Sequence, residues 1–332
     1  MAFISDLVFK NISLFDNLII YFDYLRKRIS DLLIIKSMIK NWRSVLLFRL
    51  GIKKAITLNF RDNYNIEIHN MREYARFWDS KKGQYYISKH YGYNKKIKIK
   101  QKVVKFNFGK KSLLFFYEDD NQLRNIYGTI KENFVDEQFK LLNVKNRVVV
   151  DIGANVGDTA IYFALKDAKQ VYAFEPYPYS YNLAKKNIGL NKLNDKITIL
   201  NEGCGGINKW IIIDGSFKNN AGSELRSFKN GVRIRVTTLS NIVTRYKIQN
   251  SILKIDCEGC EYGLVLNSPI NALNKFNQIM IEYHYGYKNL EKKLVMAKFN
   301  VKHTRPILLK DINGKKMILG MIYASKNSDL NS

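Results

Sequence analysis

The stretch Val149-Val-Asp151-Ile-Gly153-Ala-Asn155-Val-Gly157-Asp158-Thr159 decides how the chain is read. A β-branched apolar run, Val148–Val150, leads into a Gly-rich turn, and a helical pattern over Thr159–Ala168 follows it. Buried parallel strands read as continuous apolar runs of this kind. A glycine-rich turn between such a strand and a helix lets a ligand approach the backbone, because no Cβ stands in the way. The spacing is D-x-G-x-x-x-G. It differs from the G-x-G-x-x-G of a dinucleotide site and lacks the Lys-Ser/Thr of a phosphate-binding loop.

Working outward, Val171–Phe174 is the next strand and ends at Glu175-Pro176. An acid at this place can accept both hydrogens of a ribose diol. Tyr179–Leu190 is a helix, Ile197–Leu200 a strand, and Asn201-Glu202-Gly203-Cys204-Gly205 the loop after it; Glu202 and Gly203 are expected to border a bound nucleoside. Trp210–Ile213 and Val232–Val236 are short strands, Leu239–Tyr246 a helix, and Ile252–Ile255, Ile279–Tyr283 and Met317–Tyr323 further strands. Strands alternating with helices imply βαβ units and a parallel α/β sheet, whose ligands lie at the carboxyl ends of the strands. The region before it mixes short strands and helices. Ile56–Phe60 and Asn65–His69 flank one turn, and Val103–Phe108 and Leu113–Tyr117 flank another. Met71–Tyr86 and Phe134–Leu142 have helical spacing. The expected organisation is a helical segment over 1–45, an α+β region over 46–145 and the ligand-binding domain over 146–326.

The chain has 332 residues, 46% hydrophobic and 25% charged, which excludes a disordered or fibrous protein. Its net charge of +26 favours anionic partners or simple solubility. No run of ~18 uncharged apolar residues predicts a membrane-spanning helix, and Asp6, Lys10 and Asp16 interrupt any secretory signal. Residues 1–42 carry apolar side chains at helical spacing with Arg26, Lys27, Arg28, Lys36 and Lys40 among them. Such a helix either packs on the main domain or lies on an anionic membrane surface. Three cysteines, Cys204, Cys257 and Cys260, make no disulfide framework and point to a reducing, cytoplasmic setting. Cys257 and Cys260 form a C-x-x-C, a spacing found in half a zinc site or in a redox dithiol; no second pair and no nearby His completes a zinc site.

The D-x-G-x-x-x-G turn, the acid at Glu175 and the two strands before them resemble class I S-adenosylmethionine-dependent methyltransferases. The quoted turn, Tyr172-Ala-Phe174-Glu175-Pro176, Asn187-Ile-Gly-Leu-Asn191, Leu253-Lys254-Ile-Asp256-Cys-Glu258-Gly259-Cys-Glu261 and Ile281-Glu282-Tyr-His284 are similar to the motifs of the FkbM-type methyltransferases. The resemblance covers about 147–305, with a weaker echo over 42–70. The two cysteines stand where that family usually has small or aliphatic residues. The resemblance implies a Rossmann-like, mostly parallel, doubly wound sheet with an α+β N-terminal extension. It implies S-adenosylmethionine as cofactor and O-methylation of a hydroxyl, often that of a sugar in a glycan or glycolipid. The cofactor residues are then Asp151, Gly153, Asn155, Gly157, Asp158, Thr159, Glu175, Pro176, Glu202 and Gly203, with Asp151 meeting the ammonium of the methionine end directly or through water.

Methyl transfer to an alcohol needs alignment and a base for the hydroxyl proton. Lys254, Asp256, Glu258 and Glu261 follow one strand, and Glu282 and His284 follow another. His284 or Asp256 is the expected base, with Glu258 and Glu282 holding acceptor hydroxyls. Asp256, Glu258 and Glu282 also form an oxygen-donor set for a divalent cation as an alternative, and Lys254, Asp256 and Glu261 can instead pair in a salt-bridge network. Two other functions compete. An RNA methyltransferase fits the charge and the aromatic–Lys clusters around Tyr85, Tyr86, His90, Tyr91 and Tyr177–Lys186, although two acids sit where a polyanion would come close. A membrane-surface protein keeping the fold as scaffold fits residues 1–42.

Overall fold

The computed structural model describes residues 35–79, 82–83, 86, 97–100, 102–109, 111–214, 227–310 and 316–326. The expected helix over 1–42 and the clusters at Tyr85 and His90–Lys98 fall largely outside them. Among the described residues no helix is long and apolar enough to cross a membrane. The chain divides into two compact units at Tyr127/Gly128.

In the first unit, α1 (Trp42–Arg49) precedes the hairpin of β1 (Ile56–Asn59) and β2 (Asn65–Ile68), and α2 (Met71–Asp79) follows it. Their apolar faces share one core around Ile39, Val45, Leu58 and Phe60, where the Phe60 ring stacks on Tyr86 at 3.9 Å between centroids. β3 (Ile97–Lys100), β4 (Val103–Phe108) and β5 (Lys111–Phe116) form an antiparallel sheet, and the unit boundary falls within α3 (Asp120–Thr129).

The second unit begins with a π-helix, Ile130–Val135. The sequence reading expected an α-helix over Phe134–Leu142. That helix does not form, because Glu137 turns left-handed with φ 48° and the chain leaves the helical path in tight turns. The α/β succession then runs β6 (Val148–Ile152), α4 (Asp158–Leu165), β7 (Gln170–Phe174), α5 (Pro178–Leu190) and β8 (Ile197–Leu200). β9 (Gly203–Cys204), β10 (Lys209–Ile213) and β11 (Val232–Thr237) make a separate small sheet, whose inner residues Ile211, Ile213, Ile234 and Val236 pack with Tyr177. α6 (Leu239–Arg245), capped by the Thr238 hydroxyl, leads to β12 (Ser251–Ile255), α7 (Cys260–Asn267), α8 (Ile270–Leu273) and β13 (Phe276–Tyr283). α9 (Lys288–Met296), β14 (Asn300–His303), β15 (Ile307–Lys310) and β16 (Lys316–Ser325) complete the unit.

The main sheet has the order β14-β16-β13-β12-β6-β7-β8, with β15 on β16. β8, β7, β6, β12 and β13 are parallel, and β16 runs antiparallel between β13 and β14. This is the class I methyltransferase arrangement implied by the sequence resemblance. From β6 the chain winds outward to β7 and β8, then crosses back to β12 and winds the other way. The order therefore reverses between β6 and β12, and a crevice opens at their carboxyl ends, where such sheets take ligands.

Two facing charges, Asp151 on β6 and Lys254 on β12, break the apolar pattern of the central strands. β12 is buried at every residue, Lys254 included. Lys254 is the register partner of Asp151 on β6, and its Nζ lies 3.0 Å from Asp151 Oδ1. Burial alone would push the lysine towards neutrality, but Asp151 and Asp256 outweigh it and raise its affinity for the proton. Removing one member of a buried pair strands the other, which costs about 3–5 kcal/mol. Lys254→Met should therefore lower the unfolding free energy by about that amount, whereas Lys254→Met with Asp151→Leu should recover much of it; chemical denaturation of the three proteins checks this.

Candidate active site

The Gly-rich turn is shaped from below. Gly153 has φ 81°, and a Cβ there would sit 1.7 Å from the Asp256 carbonyl oxygen. Its lack of a side chain is thus demanded by the neighbouring strand end as well as by any ligand. Lys254 Nζ donates to the Gly153 carbonyl at 2.9 Å. Asp151 is completely buried, accepts from the Thr159 hydroxyl at 2.6 Å and pairs with Lys254. Asp151, Thr159 and Lys254 therefore hold the turn from beneath. Gly157, φ 84°, precedes α4 where a Cβ would meet Ala184 of α5 at 3.2 Å. Asn187 of α5 donates to the Val156 carbonyl at 2.9 Å and ties the same turn to that helix.

At the end of β7, Glu175 is buried with both oxygens fixed: Oε1 accepts from Tyr177 N and Oε2 from Asn155 N, each at 2.9 Å. Asn155 reaches this bond by turning left-handed, φ 45°. Each carboxylate oxygen keeps a further lone pair. Burial pushes the Glu175 carboxyl up to about 8 against the pull of those two backbone bonds. Asn201 donates to the carbonyls of Glu175 and Pro176 at 3.0 and 2.8 Å, holding this loop from β8. A rigid acid beside a bare-backbone turn matches what a ribose diol requires, so the residues present fit a nucleoside cofactor. Glu202 is engaged elsewhere: its Oε1 pairs with Arg245 at 2.8 Å. Gly203 is buried within β9.

Across the reversal point lie the acids after β12 and Glu282 near the end of β13. His284, 1% exposed, is gripped on both ring nitrogens: Nδ1 lies 2.9 Å from Glu261 Oε1 and Nε2 lies 3.0 Å from Glu258 Oε2. Glu261 also accepts from the backbone of His284 at 3.1 Å and of Gly259 at 2.8 Å. Burial opposes a charge on His284, but the bonds and charges of Glu258 and Glu261 outweigh it and lift its pKa to about 11. At neutral pH His284 is an imidazolium.

Asp256 and Glu282, both partly exposed, bring a carboxylate oxygen each to within 4.8 Å of each other and of a His284 nitrogen. Burial raises Asp256, opposed by Lys254 and His284. Burial and the Asp256 charge raise Glu282 to about 8. The trio has the outline of a cation site, but both ring nitrogens are already taken by carboxylates, so His284 has no free lone pair for a metal. The local positive charge is His284 itself.

The π-helix adds two residues that the sequence reading missed. Burial and the charge of Asp256 push Glu132 up to about 7. Asn133, buried, donates to Asp158 Oδ2 at 2.5 Å on the first turn of α4. Burial brings Asp158 to about 7. A π-turn leaves no periodic mark in sequence, although such turns are frequent at functional sites. The sequence reading also missed Arg245, the partner of Glu202.

The cysteines depart from expectation. Cys257 and Cys260 are joined by a disulfide, with Cα atoms 5.4 Å apart, and Cys204 is free and buried. The strand-to-helix turn of a C-x-x-C brings the two within bonding reach without any wider framework.

Comparison with known proteins agrees with the geometry. The family model of the methyltransferase FkbM domain matches residues 151–310. A ribosomal protein L11 methyltransferase from Carboxydothermus hydrogenoformans is 39% identical over 66 residues, 20% of this chain and 22% of that protein. A tRNA (guanine(37)-N(1))-methyltransferase from Methanocaldococcus jannaschii is 52% identical over 52 residues, 16% of this chain and 15% of that protein. The chain thus spans under a quarter of the length of either relative. Among solved structures, Trm5b from Pyrococcus abyssi is 13% identical with a TM-score of 0.38, over 68% of this chain and 56% of that one.

The grip on His284 carries a sign. A histidine raised from 6.5 to about 11 adds stability that is complete below 6.5 and is lost as the pH rises through about 11. His284→Gln should therefore show its largest loss of melting temperature near pH 6, and the gap to the unaltered protein should shrink towards pH 11. Thermal melts across that range give the answer; a gap that widens with pH refutes the assignment.

Proposed function

We propose that this chain, which carries an FkbM methyltransferase domain over residues 151–310, is an S-adenosylmethionine-dependent O-methyltransferase acting on a hydroxyl of a sugar in a glycan or glycolipid. The observation that carries the acceptor reading is the pair of partly exposed carboxylates, Asp256 beside Gly153 and Glu282 on β13, which approach each other and His284 within 4.8 Å. When bound, the cofactor supplies an electrophilic methyl group on a sulfonium. Glu175, held by two backbone donors, accepts the hydroxyls of its ribose. Gly153 and Asn155 offer backbone on the same side, and Thr159, Asp151 and Lys254 keep that backbone in place.

On the acceptor side, His284 is protonated and cannot take a second proton. Of the two bases weighed from sequence, the role falls to Asp256, whose carboxyl burial raises against the pull of Lys254 and His284; a raised carboxyl is the better proton acceptor. Glu282, pushed to about 8, holds its proton at neutral pH. Two neighbouring carboxyls that titrate as a pair suit paired roles as base and hydrogen-bond donor. Asp256 removes the hydroxyl proton, and Glu282 donates to an adjacent oxygen of the same sugar. Glu258 acts through His284. A neutral polyol meets Asp256 without repulsion, whereas a phosphodiester backbone would come against its charge.

The reading is checked in two steps. Calorimetry with S-adenosylhomocysteine should show binding that Glu175→Ala weakens by roughly 10–100-fold, the cost of leaving the ribose hydroxyls without their buried partner. Asp256→Asn should keep that binding within about threefold while lowering turnover on a methylated glycan acceptor by roughly 10²–10⁴-fold. Label appearing instead in RNA, with binding that falls steeply with salt, would move the assignment to nucleic acid.

A further inference from the structure

We propose that the Cys257–Cys260 disulfide is a reducible site that sets the position of Glu258 on His284, so that a dithiol partner switches the acceptor half of the active site. The two cysteines bracket Glu258 and Gly259, closing the loop between β12 and α7. Within this loop Glu258 adopts φ 56° and Gly259 φ 116°. A left-handed backbone is ordinary for glycine but costs a glutamate about 1–2 kcal/mol. Such a conformation persists where the surroundings over-determine it. Here the bridge spans the loop, and the Glu261 carboxylate accepts from Gly259 N at 2.8 Å beneath it. The side chain so placed lies 3.0 Å from His284 Nε2. Both cysteines are partly exposed, so a small dithiol reaches the bond.

Reduction breaks the sulfur–sulfur bond. The dithiol gives two electrons and two protons, both cysteines become thiols, and the sulfurs of the dithiol join as its own disulfide. The loop is then free to return Glu258 to a right-handed or extended backbone, and its carboxylate leaves His284. The imidazolium keeps Glu261 but loses one of its two bonded partners. Asp256 and Glu282, which face the same ring from the ends of β12 and β13, lose part of the charge they oppose. Glu258 is therefore a positioning residue and Cys257 and Cys260 its clamp. The effect on turnover rests on the function proposed above, but the geometric claim does not.

The test reads His284 alone and needs neither cofactor nor acceptor. In full-length protein labelled at its four histidines, the His284 imidazole signal, identified through its loss in His284→Gln, is titrated by nuclear magnetic resonance in the oxidised and the dithiothreitol-reduced states. Iodoacetamide labelling in denaturant with mass counting should find one thiol in the first state, Cys204, and three in the second. The His284 midpoint should fall by about one pH unit or more on reduction, a tenfold or larger loss of proton affinity. Oxidised Glu258→Gln should show the same fall and no further change with dithiothreitol. Identical His284 titration in both redox states overturns the proposal. So do three free thiols after treatment with an oxidant, or loss of the circular-dichroism fold on reduction, since a staple that holds the chain folded is no switch.

Discussion

The active end of this molecule depends on one buried ion pair. Lys254 and Asp151 face each other across the central strands β12 and β6, at the point where the sheet reverses its winding. Apolar residues of similar size would pack there at less desolvation cost. A charge pair is suited to something else. The lysine reaches past Asp151 to the carbonyl of Gly153, and Asp151 reaches forward to Thr159 on the next helix. One pair thus ties the turn after β6 to β12 behind it and to α4 in front. The turn is itself crowded so closely against Asp256 that only glycine fits. The turn after β6 and the end of β12 are consequently one rigid piece, joined through the last residues of two adjacent strands.

The acceptor half is organised by a second cation, His284. It is buried at the end of β13, where an imidazolium is costly, and it is made favourable by carboxylates on both nitrogens. Its charge then allows further carboxylates to crowd round it. Asp256 and Glu282 would repel each other strongly if His284 were neutral. With it charged, one can stay ionised while the other keeps a proton. Lys254 serves Asp256 in the same sense from the strand behind. The two buried cations therefore divide the work: Lys254 shapes backbone and His284 sets the protonation of the exposed acids.

Much of this was legible in the residues. The run Val148–Val150, the turn after it and the acid at Glu175 carry their own reasons, since a buried parallel strand, a bare-backbone turn and a diol acceptor each need those residue types. The strand order and the bringing together of Lys254, Asp256, Glu258, Glu282 and His284 follow from two strand ends at a reversal point. The finer roles were not legible. Lys254 and Asp256 are two residues apart and would share one face of the strand if it continued; β12 ends at Ile255 and the chain turns at Asp256, which leaves Lys254 buried and Asp256 partly exposed. The displaced helix over Phe134–Leu142 failed for a related reason. Nothing in its apolar spacing marks the shift to a π-turn that brings Glu132 and Asn133 into the site. The C-x-x-C spacing marks the cysteine pair, but the odd total points away from a disulfide. An odd total makes no framework, yet two cysteines on one tight turn need none.

The sign of the whole molecule and the sign of its site are opposed. The chain carries a formal charge of +26, while the crevice beyond β12 and β13 gathers Glu132, Asp256, Glu258, Glu261 and Glu282 around two buried cations. A long-range positive field draws anions towards the surface, but it weakens over about 8–10 Å at physiological salt. Under the function proposed above, the acids act on the acceptor at shorter range. An acceptor that satisfies both fields is one whose reacting part is neutral and rich in hydroxyls and whose distant part is anionic. A sugar carried on a phosphate-bearing or acidic anchor has that division of charge. A nucleic acid, charged along its entire length, would have to bring its phosphates close to the acids to present any single ribose or base.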